Sequence, residues 1–70
     1  MNTKKFDALL KLHGETQREI AQLLGITQGA VSNKKNGRSE FLQSEIKLIG
    51  RHYNLTPDEV DEIFFADEVS

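Results

Sequence analysis

Residues 16–37 read TQREIAQLLGITQGAVSNKKNG, and this stretch decides the fold. It opens with Thr16-Gln17-Arg18-Glu19, the pattern of a capping box. The Thr16 hydroxyl can accept from the amide of Glu19 while the Glu19 carboxylate reaches back to the start of the helix. Ile20, Ala21, Leu23 and Leu24 then supply one apolar face. Gly25 is the residue that tolerates the left-handed backbone with which such a helix ends. Ile26 and Thr27 open a second short helix: Thr27 is a good N-cap, and Ile26 with Val31 has the spacing of a hydrophobic staple. Asn36-Gly37 is a turn signal that stops it. Two short helices joined by a glycine turn, with apolar residues at Ile20, Ala21, Leu24, Ile26 and Val31, form a helix-turn-helix. Ala21 must be small because the second helix crosses close to it.

Working outward, Phe6, Leu9, Leu10 and His13 recur at helical spacing, which predicts a first helix from about Thr3 to Leu12 closed by His13-Gly14. After the helix-turn-helix, Gly37 to Glu40 is a polar loop. A fourth helix over about Leu42 to Tyr53 places Leu42, Ile46, Ile49 and Tyr53 on one stripe. The fifth carries two start signals at once, Thr56 with Glu59 as capping box and Leu55 with Val60 as staple. Pro57 occupies the first helical position, where its missing N–H costs nothing. Val60, Ile63 and Phe64 point inward. No segment alternates with period two over a useful length, so the expected fold is an all-α, compact five-helix bundle. Residues 1–66 form one domain, and 67–70 a short acidic tail.

Within the helix-turn-helix the first helix braces the second, and the second is the one that can enter a DNA major groove. With Val31 turned inward, the 100° helical step puts Gly29 and Asn33 on the far side, with Ser32 between them and Gln28 at the exposed start. Gln and Asn amides can pair bidentately with the adenine edge, so Gln28, Gly29, Ser32 and Asn33 form the candidate base-reading face. Gly29 lets the helix approach closely at some cost in helix propensity. Gln17, Lys34, Lys35, Asn36 and Arg38 surround that face as candidate contacts to the DNA backbone, helped by the amides at the start of the second helix.

Charge bears on the partner. The 70 residues carry a net −2, which alone argues against nucleic acid. Residues 1–53, however, hold all nine Lys and Arg against five acids, a balance of +4, whereas 54–70 hold six acids and no base. A basic body with an acidic end suits double-stranded DNA at one face. Phe65 stands apart: its neighbour Phe64 continues the inward stripe, and a chain this short can hardly bury both rings. Phe65 with Val69 is the expected contact to a second copy or another protein.

The string from Thr16 to Asn33, followed by Asn36-Gly37-Arg38, resembles the lambdoid phage repressor and Cro proteins and their XRE-type relatives. The specific match covers about a third of the chain, and the five-helix layout extends it to nearly the whole. The resemblance implies a lambda-repressor-like fold, a homodimer on a palindromic operator, Gln17 on the DNA backbone, Gln28, Gly29 and Asn33 at the bases, and Asn36 and Arg38 at phosphates. Asp61 to Ala66 is also similar to the ending of short Cro-like regulators from phages of Gram-positive hosts. One position departs from the pattern: where the family places an apolar residue three after Val31, this chain has Lys34. The expectation is that its aliphatic stem covers the core edge while the ammonium reaches solvent.

Other functions find little support. There is no cysteine, no phosphate-binding glycine loop, no nucleophile beside a base, and His13 and His52 lack the i, i+4 partner of a helical metal pair. No cofactor, metal or enzymatic activity is implied. No apolar run approaches a membrane span and the first twelve residues lack a signal-peptide core, so a cytoplasmic protein, nucleoid-associated when bound, is expected. The competing reading is a protein-interaction module (a modulator of repression, an anti-repressor or an antitoxin) that acts on another regulatory protein through the acidic, apolar C-terminal end.

Overall fold

The computed structural model describes residues 1–66, and Val69 and the acidic tail lie outside them. Five helices follow in order: α1 Thr3–Leu12, α2 Gln17–Leu24, α3 Gln28–Lys35, α4 Gln43–His52 and α5 Pro57–Val60, the last running on into a π-helical turn over Asp61–Phe65. No strand occurs among the described residues, and no helix there is long and apolar enough to cross a membrane. The all-helical expectation holds.

Each helix contributes its sequence stripe to one core. Phe6, Leu9 and Leu10 come from α1, Ile20 and Ala21 from α2, Val31 from α3, Ile46 and Ile49 from α4, Tyr53 from its end, and Ile63 and Phe64 from the π turn. The ends are fixed by local chemistry. At α2 the Glu19 carboxylate reaches back as read, accepting the Thr16 amide and hydroxyl, each at 2.6 Å, while the Thr16 hydroxyl accepts the Arg18 amide at 3.3 Å. At α5 the Thr56 hydroxyl takes the Glu59 amide at 3.2 Å, and the Glu59 carboxylate takes the Thr56 amide at 2.9 Å. Gly25 adopts φ +69°, so that the Ile26 amide can turn back to the Ala21 carbonyl at 3.0 Å. Asn54, at φ +54°, does the same for α4, and asparagine is the non-glycine residue that bears this backbone best.

Two expectations need correction. Leu42 does not lie on the inward stripe of α4; it is 60% exposed. It is the N-cap, with extended backbone at φ −71° and ψ 154°, so its side chain leaves the 100° progression that starts one residue later. Phe41 takes the place in the interior instead, with its ring 5.8 Å from Phe6 and 5.5 Å from Phe64. The fifth helix, expected to be ordinary, widens after one turn. The Ala66 amide bonds to the Asp61 carbonyl five residues back at 2.9 Å. This turn still directs Ile63 and Phe64 inward and leaves Phe65 62% exposed. The Ile63 carbonyl, unpaired within so short a helix, accepts the Asn2 amide at 2.7 Å and ties the start of α1 to the end of the bundle.

Tyr53 carries a cost. Its ring lies 4.7 Å from each of the His13 and His52 rings, and its buried hydroxyl meets no partner at good hydrogen-bond geometry among the described residues, although the Glu15 carboxylate is near enough to act on it. Burial, followed by the negative charge of Glu15, pushes its pKa from 10.0 up to about 12. An unfolded tyrosine therefore releases its proton before the folded one does, and the resulting stability is present below pH 10 and lost as pH rises toward 12. Tyr53→Phe removes an orphaned donor, whose burial typically costs about 1–3 kcal/mol. The variant should match or exceed the parent in urea melts at pH 7, and should lose less stability than the parent between pH 10 and 12. A clear loss at pH 7 would mean that the hydroxyl has a partner in solution.

Candidate nucleic-acid interface

α3 buries the least of its own chain among the first four helices: of its eight residues only Val31 is buried. Its start is fixed by Thr27, whose hydroxyl accepts the Ala30 amide at 3.1 Å. Residues four apart share a row on a helix, so Gln28 and Ser32 form one row and Gly29 and Asn33 the next. Gln28, Gly29 and Asn33 are exposed and Ser32 is half-buried. Among the described residues the side-chain amides of Gln28 and Asn33 make no hydrogen bond, so their donors and acceptors face water. Ser32 is engaged: its hydroxyl accepts the Asn36 side-chain amide at 3.4 Å, which links a candidate base reader to a candidate phosphate contact. The four candidate base readers are thus on one surface, three of them fully presented.

The candidate backbone contacts divide. Arg38 is exposed and in no ion pair among the described residues, and the loop that carries it is folded back on α3 by bonds from the Arg38 and Ser39 amides to the Asn33 carbonyl at 2.9 and 3.4 Å. Gln17 is half-buried at the start of α2. Of the first three amides there, Arg18 donates to the Thr16 hydroxyl at 3.3 Å and Glu19 to the Thr16 carbonyl at 3.1 Å, which narrows the anion-binding capacity of that helix start to the Gln17 amide. Glu19 adds a negative charge at the same place. Hydrogen bonds from the Thr16 hydroxyl and amide hold its carboxyl below the usual 4.5, so it stays ionised.

The two lysines differ from expectation. Lys35 pairs with Asp7 of α1 at 3.0 Å and is mostly enclosed, although Asp7 is half exposed. The Lys34 ammonium is largely turned away from solvent. It bonds to Glu45 Oε1 of α4 at 3.0 Å and to the Glu40 carbonyl at 3.1 Å, and it sits 5.9 Å above the Phe41 ring. A charge at a position that the pattern reserves for an apolar residue needs a partner. The partner stands eleven residues on, across a loop, where helical periodicity cannot find it. A weaker signal was available: Glu45, three residues after Leu42, occupies the acid position of a capping box whose first residue has no hydroxyl.

The family model described as helix-turn-helix matches residues 7–60. No curated protein and no solved structure matches the chain.

Gly29 allows a direct test of what its position is for. A Cβ built there meets only the Thr27 hydroxyl oxygen at 3.9 Å, an ordinary contact. Gly29→Ala should therefore stabilise the domain by roughly 1 kcal/mol, the difference in helix propensity, in a urea melt. A destabilised variant would show instead that the start of α3 has no room for a side chain.

Proposed function

The chain belongs to the helix-turn-helix family and is a DNA-binding regulator of the XRE type, and on that premise we propose that it occupies an operator by laying α3 in the major groove. The observation that carries this reading is the unengaged amide pair, Gln28 and Asn33, on a helix that buries only Val31. Gln28 and Asn33 read adenine edges, and Gly29 lets the helix close on the bases. Ser32, tied to Asn36, sits between them. Arg38 and Asn36 hold phosphates on one flank, with Gln17 on the other and Lys35 contributing from its pair with Asp7. Lys34, enclosed with Glu45, supports the interface from within. The protein then blocks or redirects a promoter in the manner of Cro-like repressors.

A selection of random duplex DNA by the purified protein at moderate salt tests this, with a Gln28→Ala, Asn33→Ala variant in parallel. The expected product is a palindromic motif with half-sites one helical turn, about 34 Å, apart, and its loss in the variant. Each amide removed should cost about 1–3 kcal/mol at its own base pair. No enriched motif, from a protein shown to be folded, would sink the operator reading. The weight would then pass to the exposed acids Asp58, Glu59, Asp61 and Glu62 and to a protein partner, as in an anti-repressor or antitoxin.

The palindrome requires two copies. Phe65, 62% exposed, lies at the rim of a groove of about 550 Å³ whose apolar side is Met1, Phe41, Ile46 and Phe64 and whose other side is the polar end of α3 and its loop, and its exposed ring is proposed as the contact to a second copy of the chain. Val69, outside the described residues, is proposed for the same contact. Sedimentation of the parent and of Phe65→Ala should show association weakened in the variant; unchanged association would remove Phe65 from the interface.

A further inference from the structure

The segment between α3 and α4, residues 36–42, carries Asn36 and Arg38; its first half is folded back on α3 by backbone bonds, and one ion pair pins its second half to α4. The Lys34 ammonium joins the last turn of α3 to Glu45 Oε1 in the first turn of α4 and to the carbonyl of Glu40 in the loop. The same Glu45 oxygen accepts the amide of Leu42 at 2.8 Å, at the other end of the loop. Side-chain exposure is 14% for Lys34 and 10% for Glu45, so both charges are largely withdrawn from water. Beneath them Phe41 packs between the Lys34 ammonium and the rings of Phe6 and Phe64. A lysine set out to grip phosphate keeps its head in solvent; this one spends its donors on the protein.

Resting on the DNA-binding reading above, we propose that Lys34 is a positioning residue: with Glu45 it latches the loop onto α4, so that Asn36 and Arg38 are already placed when DNA arrives, and it touches no phosphate itself. The alternative, a direct phosphate contact, differs in sign at Glu45. If Lys34 gripped DNA, neutralising Glu45 would free the ammonium, remove a repelling carboxylate and tighten binding. If the pair is a latch, neutralising Glu45 loosens the loop and weakens binding.

The test uses the full chain and the duplex it selects, and measures Kd against salt for the parent, Lys34→Met, Glu45→Gln, the double variant and Arg38→Ala. Thermal melts establish that each is folded, and Lys34→Met is the substitution most compatible with folding because it keeps an unbranched stem in the same space. Lys34→Met and Glu45→Gln should each weaken binding by about tenfold, with the double variant no weaker than either, as expected for two residues that act through one contact. The slope of log K against log salt should stay at the parent value in both, whereas Arg38→Ala should reduce its magnitude by about 0.9, the release due to one phosphate contact. Amide hydrogen exchange over residues 38–42, read without DNA, should accelerate in Lys34→Met and Glu45→Gln while the amides of α1 keep their protection. Tighter binding by Glu45→Gln, or a slope reduced by about 0.9 in Lys34→Met, overturns the latch. If the parent binds no duplex, the DNA reading fails separately, and unchanged exchange in the loop would then overturn the latch by itself.

Discussion

Everything about this interface follows from a conflict at α3, which must be held rigidly by the protein and yet leave most of its surface open. Of its eight residues, Val31 alone is buried. Burying one valine contributes roughly 1.5–3 kcal/mol, whereas fixing the backbone of a single residue costs about 1–2 kcal/mol. Apolar burial from the helix itself is therefore too small to hold it. The remainder is directional: the Gly25 turn that sets the angle to α2, the Thr27 cap, and two ion pairs at the far end, Lys34 to Glu45 and Lys35 to Asp7. Exposed ion pairs contribute little to stability. Enclosed ones such as Lys34 with Glu45 act mainly by penalising any arrangement that separates them. On the operator reading, that is the property α3 needs, since misplacement matters more than melting.

The same logic extends around the molecule. The loop after α3 is fixed from above by Lys34 and from below by Phe41, whose ring meets Phe64 edge-on at 80° and Phe6 at a tilt. Phe64 reaches that site from the π turn. The Ile63 carbonyl of that turn accepts the Asn2 amide, and Lys5 meets Glu62 at 3.2 Å beside it. The start of α1, the end of α5 and the loop beside the reading helix thus share one ring cluster. Phe65, turned out by the same geometry, is the apolar residue left on the surface next to it.

Much of this was legible in the residues alone. The capping boxes at Thr16 and Thr56, the turn at Gly25 and the inward stripes of α1 and α2 are local rules, and each is met within five residues of its signal. The outward face of α3 was legible for the same reason, because Val31 fixes the rotation of α3 and the rest follows by 100° steps. What escaped was set by partners distant in sequence. Lys34 finds Glu45 and Lys35 finds Asp7 only after the chain has folded, so both looked like free cations. Leu42 misled because periodicity assumes that the helix has already begun, and it begins one residue later. The π turn has no residue signature at all: it is a choice of hydrogen-bond partner, the Ala66 amide bonding to the Asp61 carbonyl, that leaves Ile63 and Phe64 facing inward as ordinary helical spacing would.

The internal pairing of the lysines bears on how discrimination arises. A regulator that neutralises many phosphates binds all duplexes well and gains selectivity only on top of that background. Here Lys34 and Lys35, at the end of α3, are paired with carboxylates of the same chain, Arg38 is in no ion pair among the described residues, and Glu19 places a negative charge beside the start of α2. On the operator reading, charge alone therefore supplies little of the attraction. The amides of Gln28 and Asn33 carry no charge and gain from DNA only when a base edge answers their donor and acceptor together. A net-negative chain can afford such a face because the term it lacks is the one that does not distinguish sequences.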